Sequence, residues 1–266
     1  GNVLEKIIQS QMVFLKELDL SGNLGNEFEL KAKKKLFLPL QLNALYVDNV
    51  QWEIDQLIFF MKLCSNSNLS LLSMNKLEFI NITENNKKKG KSRVGNDPDE
   101  YKKYCWESFF NQLPSKMNLI SSLNWNSNKL NAQFVSFLVN SIELRNVSFS
   151  SCNCSDLKFV KEILVKSYIE KVNIQKVSCI EKDDYLLNFK EFLLEIPQMK
   201  SLRQIDFTHN EFNKECFDVL AESLVNSEVN FVGFDDSKLS GFHYLLNFLK
   251  KLEKSKKKPI EVSYPI

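Results

Sequence analysis

Apolar residues return along this chain at a fixed spacing. Leu15, Leu18, Leu20 and Asn23 follow the pattern L-x-x-L-x-L-x-x-N. Leu42, Leu45, Val47, Val50 and then Leu69, Leu72, Met74, Leu77 repeat it at intervals of 27 residues. Further copies run Ile120, Leu123, Trp125, Asn128; Leu144, Val147, Phe149, Cys152; Ile169, Val172, Ile174, Val177; Leu202, Ile205, Phe207, Asn210; and Val229, Val232, Phe234, Ser237. That makes eight copies, and a ninth, edge strand is read at Ile260 to Val262. A unit this short leaves an apolar face that only its neighbours can cover, so the spacing dictates a stacked array rather than a centred globule.

Each copy is followed by residues at helical spacing, such as Trp52, Ile54, Leu57, Ile58, Met61 or Phe217, Leu220, Ala221, Leu224. The pattern and its period resemble the leucine-rich repeats of the ribonuclease-inhibitor-like class over nearly the whole chain. The resemblance implies an α/β fold: a right-handed leucine-rich-repeat solenoid bent into a horseshoe arc, with parallel strands on the concave face and helices on the convex face. A single domain, 1–266, is expected. In that class the last motif residue is Asn, which bonds the backbone of neighbouring loops. Here Asn23, Asn128 and Asn210 keep it while Val50, Leu77, Cys152, Val177 and Ser237 replace it, so a patchy ladder is expected. The third and fourth copies lie 51 residues apart, the excess being read as a loop insertion at 83–98 rich in Asn, Lys and Gly. A helix from Asp99 to Leu113 is expected to turn Tyr101, Tyr104, Cys105, Phe109 and Leu113 inward. Val3 to Val13 reads as an amphipathic helix.

Several chemistries are disfavoured. A formal net charge of +2 is too small to imply nucleic acid by bulk electrostatics. No apolar run approaches the ~18 residues of a membrane span, so no membrane insertion is expected. The only histidines are His209 and His243, and no nucleophile elbow, zincin, P-loop or dinucleotide-binding motif is present. The expectation is a non-enzyme without catalytic residues, cofactor or metal. Six cysteines lack paired zinc spacing and read as buried free thiols of a cytoplasmic protein. The sequons Asn68-Leu-Ser70 and Asn146-Val-Ser148 fall inside expected strands, which leaves no room for a glycan. Lys87 to Arg93 reads as a solvated basic loop.

Alternation within the strands sends the residues between the motif apolars to the concave surface. Reading across copies gives three columns. The first is Glu17, Ala44, Leu71, Ser122, Asn146, Lys171, Gln204, Phe231. The second is Asp19, Tyr46, Ser73, Asn124, Ser148, Asn173, Asp206, Gly233. The third is Ser21, Asp48, Asn75, Asn126, Ser150, Gln175, Thr208, Asp235. Five acids face one base, so an acidic face with apolar anchors is expected. The candidate protein-binding residues are Tyr46, Asp48, Leu71, Asp206, Phe231 and Asp235, and the expected partner is a protein with a basic surface.

Leu123 to Leu130 (Leu-Asn-Trp-Asn-Ser-Asn-Lys-Leu) and Leu18 to Asn23 (Leu-Asp-Leu-Ser-Gly-Asn) also resemble the repeat arrays of CARMIL-type and tropomodulin-type actin regulators. That resemblance implies an interaction module within a larger intracellular regulatory protein, with cytoskeletal or signalling partners. One alternative is a GTPase-activating protein of the RanGAP kind, acting on a small GTPase through strand-to-helix loops, with Arg145 or Arg203 as the residues to test. Another is a secreted or surface recognition module.

Overall fold

A computed structural model describes residues 15–22, 41–80, 98–114, 119–178, 182–235, 237–239, 241–255 and 259–264. The chain divides into two compact units, Gly1–Asn124 with Asn140–Glu143, and Trp125–Val139 with Leu144–Ile266. In the first unit, strands β1 (Glu17–Asp19), β2 (Ala44–Tyr46), β3 (Leu71–Ser73) and β4 (Ser122–Asn124) pair in chain order, all parallel. In the second, β5 (Asn146–Ser148), β6 (Lys171–Asn173), β7 (Gln204–Asp206), β8 (Phe231–Gly233) and β9 (Glu261–Ser263) do the same. Among the described residues the helices are α1 (Ile54–Ser65), α2 (Pro98–Asn111), α3 (Ala132–Val139), α4 (Leu157–Lys166), α5 (Lys182–Leu194), α6 (Lys214–Val225) and α7 (Phe242–Ser255). Strand and helix alternate, so each unit is an α/β array of leucine-rich repeats.

The central residue of each inner strand points into the core. Leu45, Leu72 and Leu123 are buried in the first unit, and Val147, Val172, Ile205 and Val232 in the second. In the second unit phenylalanines continue this layer. The Phe212 ring centroid lies 5.3 Å from Phe189, 5.6 Å from Phe207, 5.2 Å from Phe217 and 4.9 Å from Phe234. Five of the 21 phenylalanines form this file of rings, which spans consecutive repeats.

Among the described residues, a left-handed residue ends the strand segment of seven copies. Gly22 (φ 75°), Asn49 (54°), Lys76 (52°), Ser127 (57°), Ser151 (58°), Lys176 (55°) and His209 (62°) occupy the same motif position. The unusual backbone turns the chain off the strand. It also aims the N–H of Gly22, Asn49, Ser127, Ser151 and His209 at the carbonyl of Asp48, Asn75, Ser150, Gln175 and Asp235 of the next repeat. Only Gly22 takes this conformation without a Cβ penalty. The inter-repeat bond offsets that penalty at Asn49, Ser127, Ser151 and His209.

The Asn ladder takes its full form at Asn210. Its Nδ2 donates to the carbonyls of Ile174 (2.6 Å) and Phe207 (2.9 Å), and its Oδ1 accepts from the Val177 amide at 2.8 Å. Ser237 supplies one bond in the next repeat, Oγ to the Phe207 carbonyl at 3.1 Å. Asn128 is buried at the equivalent position, and Asn23 lies outside the described residues.

Four expectations are corrected. The ninth strand is Glu261–Ser263, one residue later than read, because Val232 pairs with Val262 and fixes the register. The helix read as Asp99 to Leu113 is Pro98–Asn111, and Tyr104 faces outward at 47% exposure while Trp106 and Phe110 are buried. The two rings stack on one another with centroids 5.3 Å apart, and Trp106 also meets Phe79 edge-on. Asn68 sits in the loop before β3 and is exposed, so the steric objection to its sequon fails. The fourth concerns thiols. Cys64, Cys105, Cys152 and Cys216 are buried and free, whereas Cys154 is disulfide-bonded. Cys154 opens a short 3-10 turn, Cys154–Asp156, instead of continuing a strand with Cys152. Val3 to Val13, the insertion at 83–97, Cys179 and Lys256 to Lys258 lie outside the described residues.

Burial pushes the Cys64, Cys152 and Cys216 thiols up, Cys152 to about 12. A raised thiol pKa means the unfolded chain ionises first. The contribution of Cys152 is therefore complete below the unfolded value of 9.0 and is lost as pH climbs toward about 12. Alkylation by iodoacetamide at pH 8 is expected to spare these three thiols in the native chain and to label them once urea unfolds it. Labelling at equal rates in both states would contradict their burial.

Candidate functional site

The columns expected on the strand face form as parallel registers. In the first unit Glu17, Ala44, Leu71 and Ser122 lie in one row, and Asp19, Tyr46, Ser73 and Asn124 in the next. In the second, Asn146, Lys171, Gln204, Phe231 and Glu261 form one row and Ser148, Asn173, Asp206, Gly233 and Ser263 the other. Tyr46 and Leu71 are half-buried on adjacent strands, with Asp48 at the turn beyond Tyr46. Phe231 and Asp206 are half-buried on adjacent strands of the second unit, and Asp235 is exposed. Gly233 makes room for both: a Cβ there would meet Asp206 Oδ1 at 3.0 Å and the Phe231 ring at 3.5 Å.

The acids do more than decorate this face. Asp48 Oδ1 accepts from Ser73 Oγ at 2.7 Å and from the Asn75 amide at 2.8 Å, while the Asp48 amide donates to Ser21 Oγ at 3.0 Å. In the second unit Asn126 Oδ1 accepts from Ser148 Oγ (2.7 Å) and the Ser150 amide (2.6 Å), and Ser150 Oγ donates to Asn173 Oδ1 at 2.9 Å. Asp206 Oδ2 accepts from Gln175 Nε2 at 2.8 Å, and Asp235 holds Ser263 Oγ at 2.7 and 2.9 Å. A second polar ladder thus runs along the outer turns of each unit, carried by Ser, Asp and Asn. Asp19, exposed, is held below the usual carboxylate range by hydrogen bonds from Ser21.

Arg145 and Arg203 lie in the helix-to-strand loops, one residue before β5 and β7. The GTPase-activating alternative needed them in strand-to-helix loops, at the opposite strand ends; the motif begins its strand directly after each arginine, which fixes their side. His209 occupies an exposed left-handed turn, and His243 lies in α7 beside Tyr244. Among the described residues no helix is long and apolar enough to cross a membrane.

No family model and no curated protein matches the chain. Among solved structures, the chain is similar to one from a crystal structure of a TLR13–ssRNA13 complex. The TM-score is 0.42 and the sequence identity 15%, over 96% of this chain and 37% of that one.

Two groupings escaped the columns. The outer ladder joins residues about one repeat apart, and its signal is the run of small acceptors Ser21, Asp48, Asn75 in the third column. The arginine loops become visible when the column reading is moved one position earlier, to Arg145, Glu170 and Arg203.

Proposed function

We propose that this chain is a protein-interaction module of the ribonuclease-inhibitor type that binds a partner with a basic surface through its strand face. The observation that carries this reading is the repeated pairing of a half-buried large side chain with carboxylates: Tyr46 and Leu71 near Asp48, and Phe231 near Asp206 and Asp235. Amphipathic aromatic anchors supply most interface energy, while charge around them steers association. A non-catalytic role within a larger intracellular regulatory protein follows from this reading, and the motifs shared with CARMIL- and tropomodulin-type arrays make actin regulators the first partners to screen.

Affinity capture from source-cell lysate with quantitative mass spectrometry compares wild type with Tyr46→Ala and with Phe231→Ala. These positions test the face without cutting the outer ladder, as Asp48→Lys or Asp235→Lys does. A shared set of basic proteins is expected to fall about tenfold in at least one variant, with the circular dichroism spectrum unchanged. Full retention by both variants removes the strand face from the account.

The disulfide at Cys154 and the exposed Asn68 sequon favour a second reading, a secreted or surface recognition module. Alkylating the denatured, unreduced protein from its native source separates the two. Six labelled cysteines support the intracellular reading, and fewer support the secreted one.

A further inference from the structure

The helix-to-strand edge of the second unit contains a hollow that the strand face does not use. Arg145, Tyr168, Glu170, Ser201 and Arg203 line about 270 Å³. Arg145, Glu170 and Arg203 each immediately precede a strand of three successive repeats, so the parallel register lays them side by side. The Arg145 carbonyl accepts from the Glu170 and Lys171 amides at 2.7 and 3.0 Å, and the Glu170 carbonyl accepts from the Arg203 and Gln204 amides at 2.8 and 3.0 Å. Two guanidinium groups therefore flank one carboxylate. Arg145 Nε lies 3.5 Å from Glu170 Oε1 in an exposed pair, and its Cζ stands 5.9 Å from the Tyr168 ring centroid. Arg203 Nη1 donates to the carbonyls of Lys200 (2.8 Å) and Leu202 (3.1 Å), which fixes the plane of the group. Both bonds leave from one nitrogen of a five-donor fork, so further donors remain for a ligand.

We infer that this hollow binds an acidic peptide segment of a protein partner, with a carboxylate of that segment clasped between Arg145 and Arg203. Arg203 gives Nη1 to backbone carbonyls while lining the hollow, and planar guanidinium forks match carboxylates in bidentate geometry. Tyr168, 57% exposed, supplies an aromatic wall of the kind that anchors interfaces. The volume falls below the roughly 300–1,000 Å³ of pockets that engulf drug-sized ligands, and suits a side chain rather than a nucleotide. Glu170 acts as an internal competitor, because an exposed pair at this distance is weak and yields to a better-placed partner. The site lies on another edge and has the opposite charge preference from the strand face, so its failure leaves that reading untouched.

The test is fluorescence anisotropy of the full chain, at low ionic strength, with a fluorescein-labelled peptide of alternating Glu and Gly. The same peptide with Gln in place of Glu is the control. The Glu peptide is expected to bind and the Gln peptide not to bind. Arg203→Ala is expected to weaken binding about tenfold, and the Arg145→Ala/Arg203→Ala double variant to lose it. Glu170→Gln is expected to tighten binding about threefold, a gain that misfolding does not produce. Equal binding by wild type and the double variant overturns the inference, as does weaker binding by Glu170→Gln. Binding of inorganic phosphate in preference to the Glu peptide also overturns it.

Discussion

Phe212→Ala is expected to destabilise the second unit by about 4 kcal/mol, the middle of the range for removing a fully buried aromatic ring. The ring is 1% exposed and touches the rings of Phe189 on α5, Phe217 on α6, and Phe207 and Phe234 just beyond β7 and β8. No single side chain can collapse into the void, because the neighbours are held by three successive repeats: Phe189 by one, Phe207 and Phe217 by the next, Phe234 by the third. In a stacked array the loss also weakens the interfaces on either side. Urea unfolding followed by circular dichroism reads the effect as a large fall in midpoint. A shift below about 1 kcal/mol contradicts the file of rings as a structural spine.

The second large effect belongs to a polar residue. Asn210→Ala leaves the buried carbonyl of Ile174 and the part-buried Val177 N–H without their partner, and is expected to cost about 3 kcal/mol, since each orphaned buried group costs roughly 1–3. Ser237→Ala, which removes one bond to the Phe207 carbonyl, is expected to cost about 1 kcal/mol. The same urea series ranks the two. Equal losses show that the ladder's strength does not come from the number of bonds made at each rung.

The strands were readable from sequence because burial acts on one side of a three-residue segment, and Leu45, Leu72, Val172 and Ile205 announce that side through strict spacing. Asn210 was readable for a related reason: its position has one geometry, and its side chain fits it. The left-handed turns were not readable, since Lys76, Lys176 and His209 carry no glycine signature; the inter-repeat hydrogen bond that His209 makes to Asp235 is visible only after stacking. Tyr104 and Trp106 are both plausible core residues of α2, and the contact with Phe79 at the start of the same repeat, which no helical spacing reveals, selects Trp106. Asp48 looks like a solvent-facing charge in its column, yet it bonds Ser73 and Asn75 of the next repeat. An acidic residue on this face can therefore serve the stack and a partner together, which is why Tyr46 and Phe231 make the sharper probes of binding.

The most direct test of the strand face is hydroxyl-radical footprinting of the chain alone and in complex with a captured partner, read by mass spectrometry. Binding through this face predicts that oxidation of Tyr46, Leu71 or Phe231 falls, while Tyr104 on α2 and Leu187 on α5, both exposed, oxidise as before. Protection of Tyr104 or Leu187 with Tyr46, Leu71 and Phe231 unchanged contradicts the account and moves the interface to the helices.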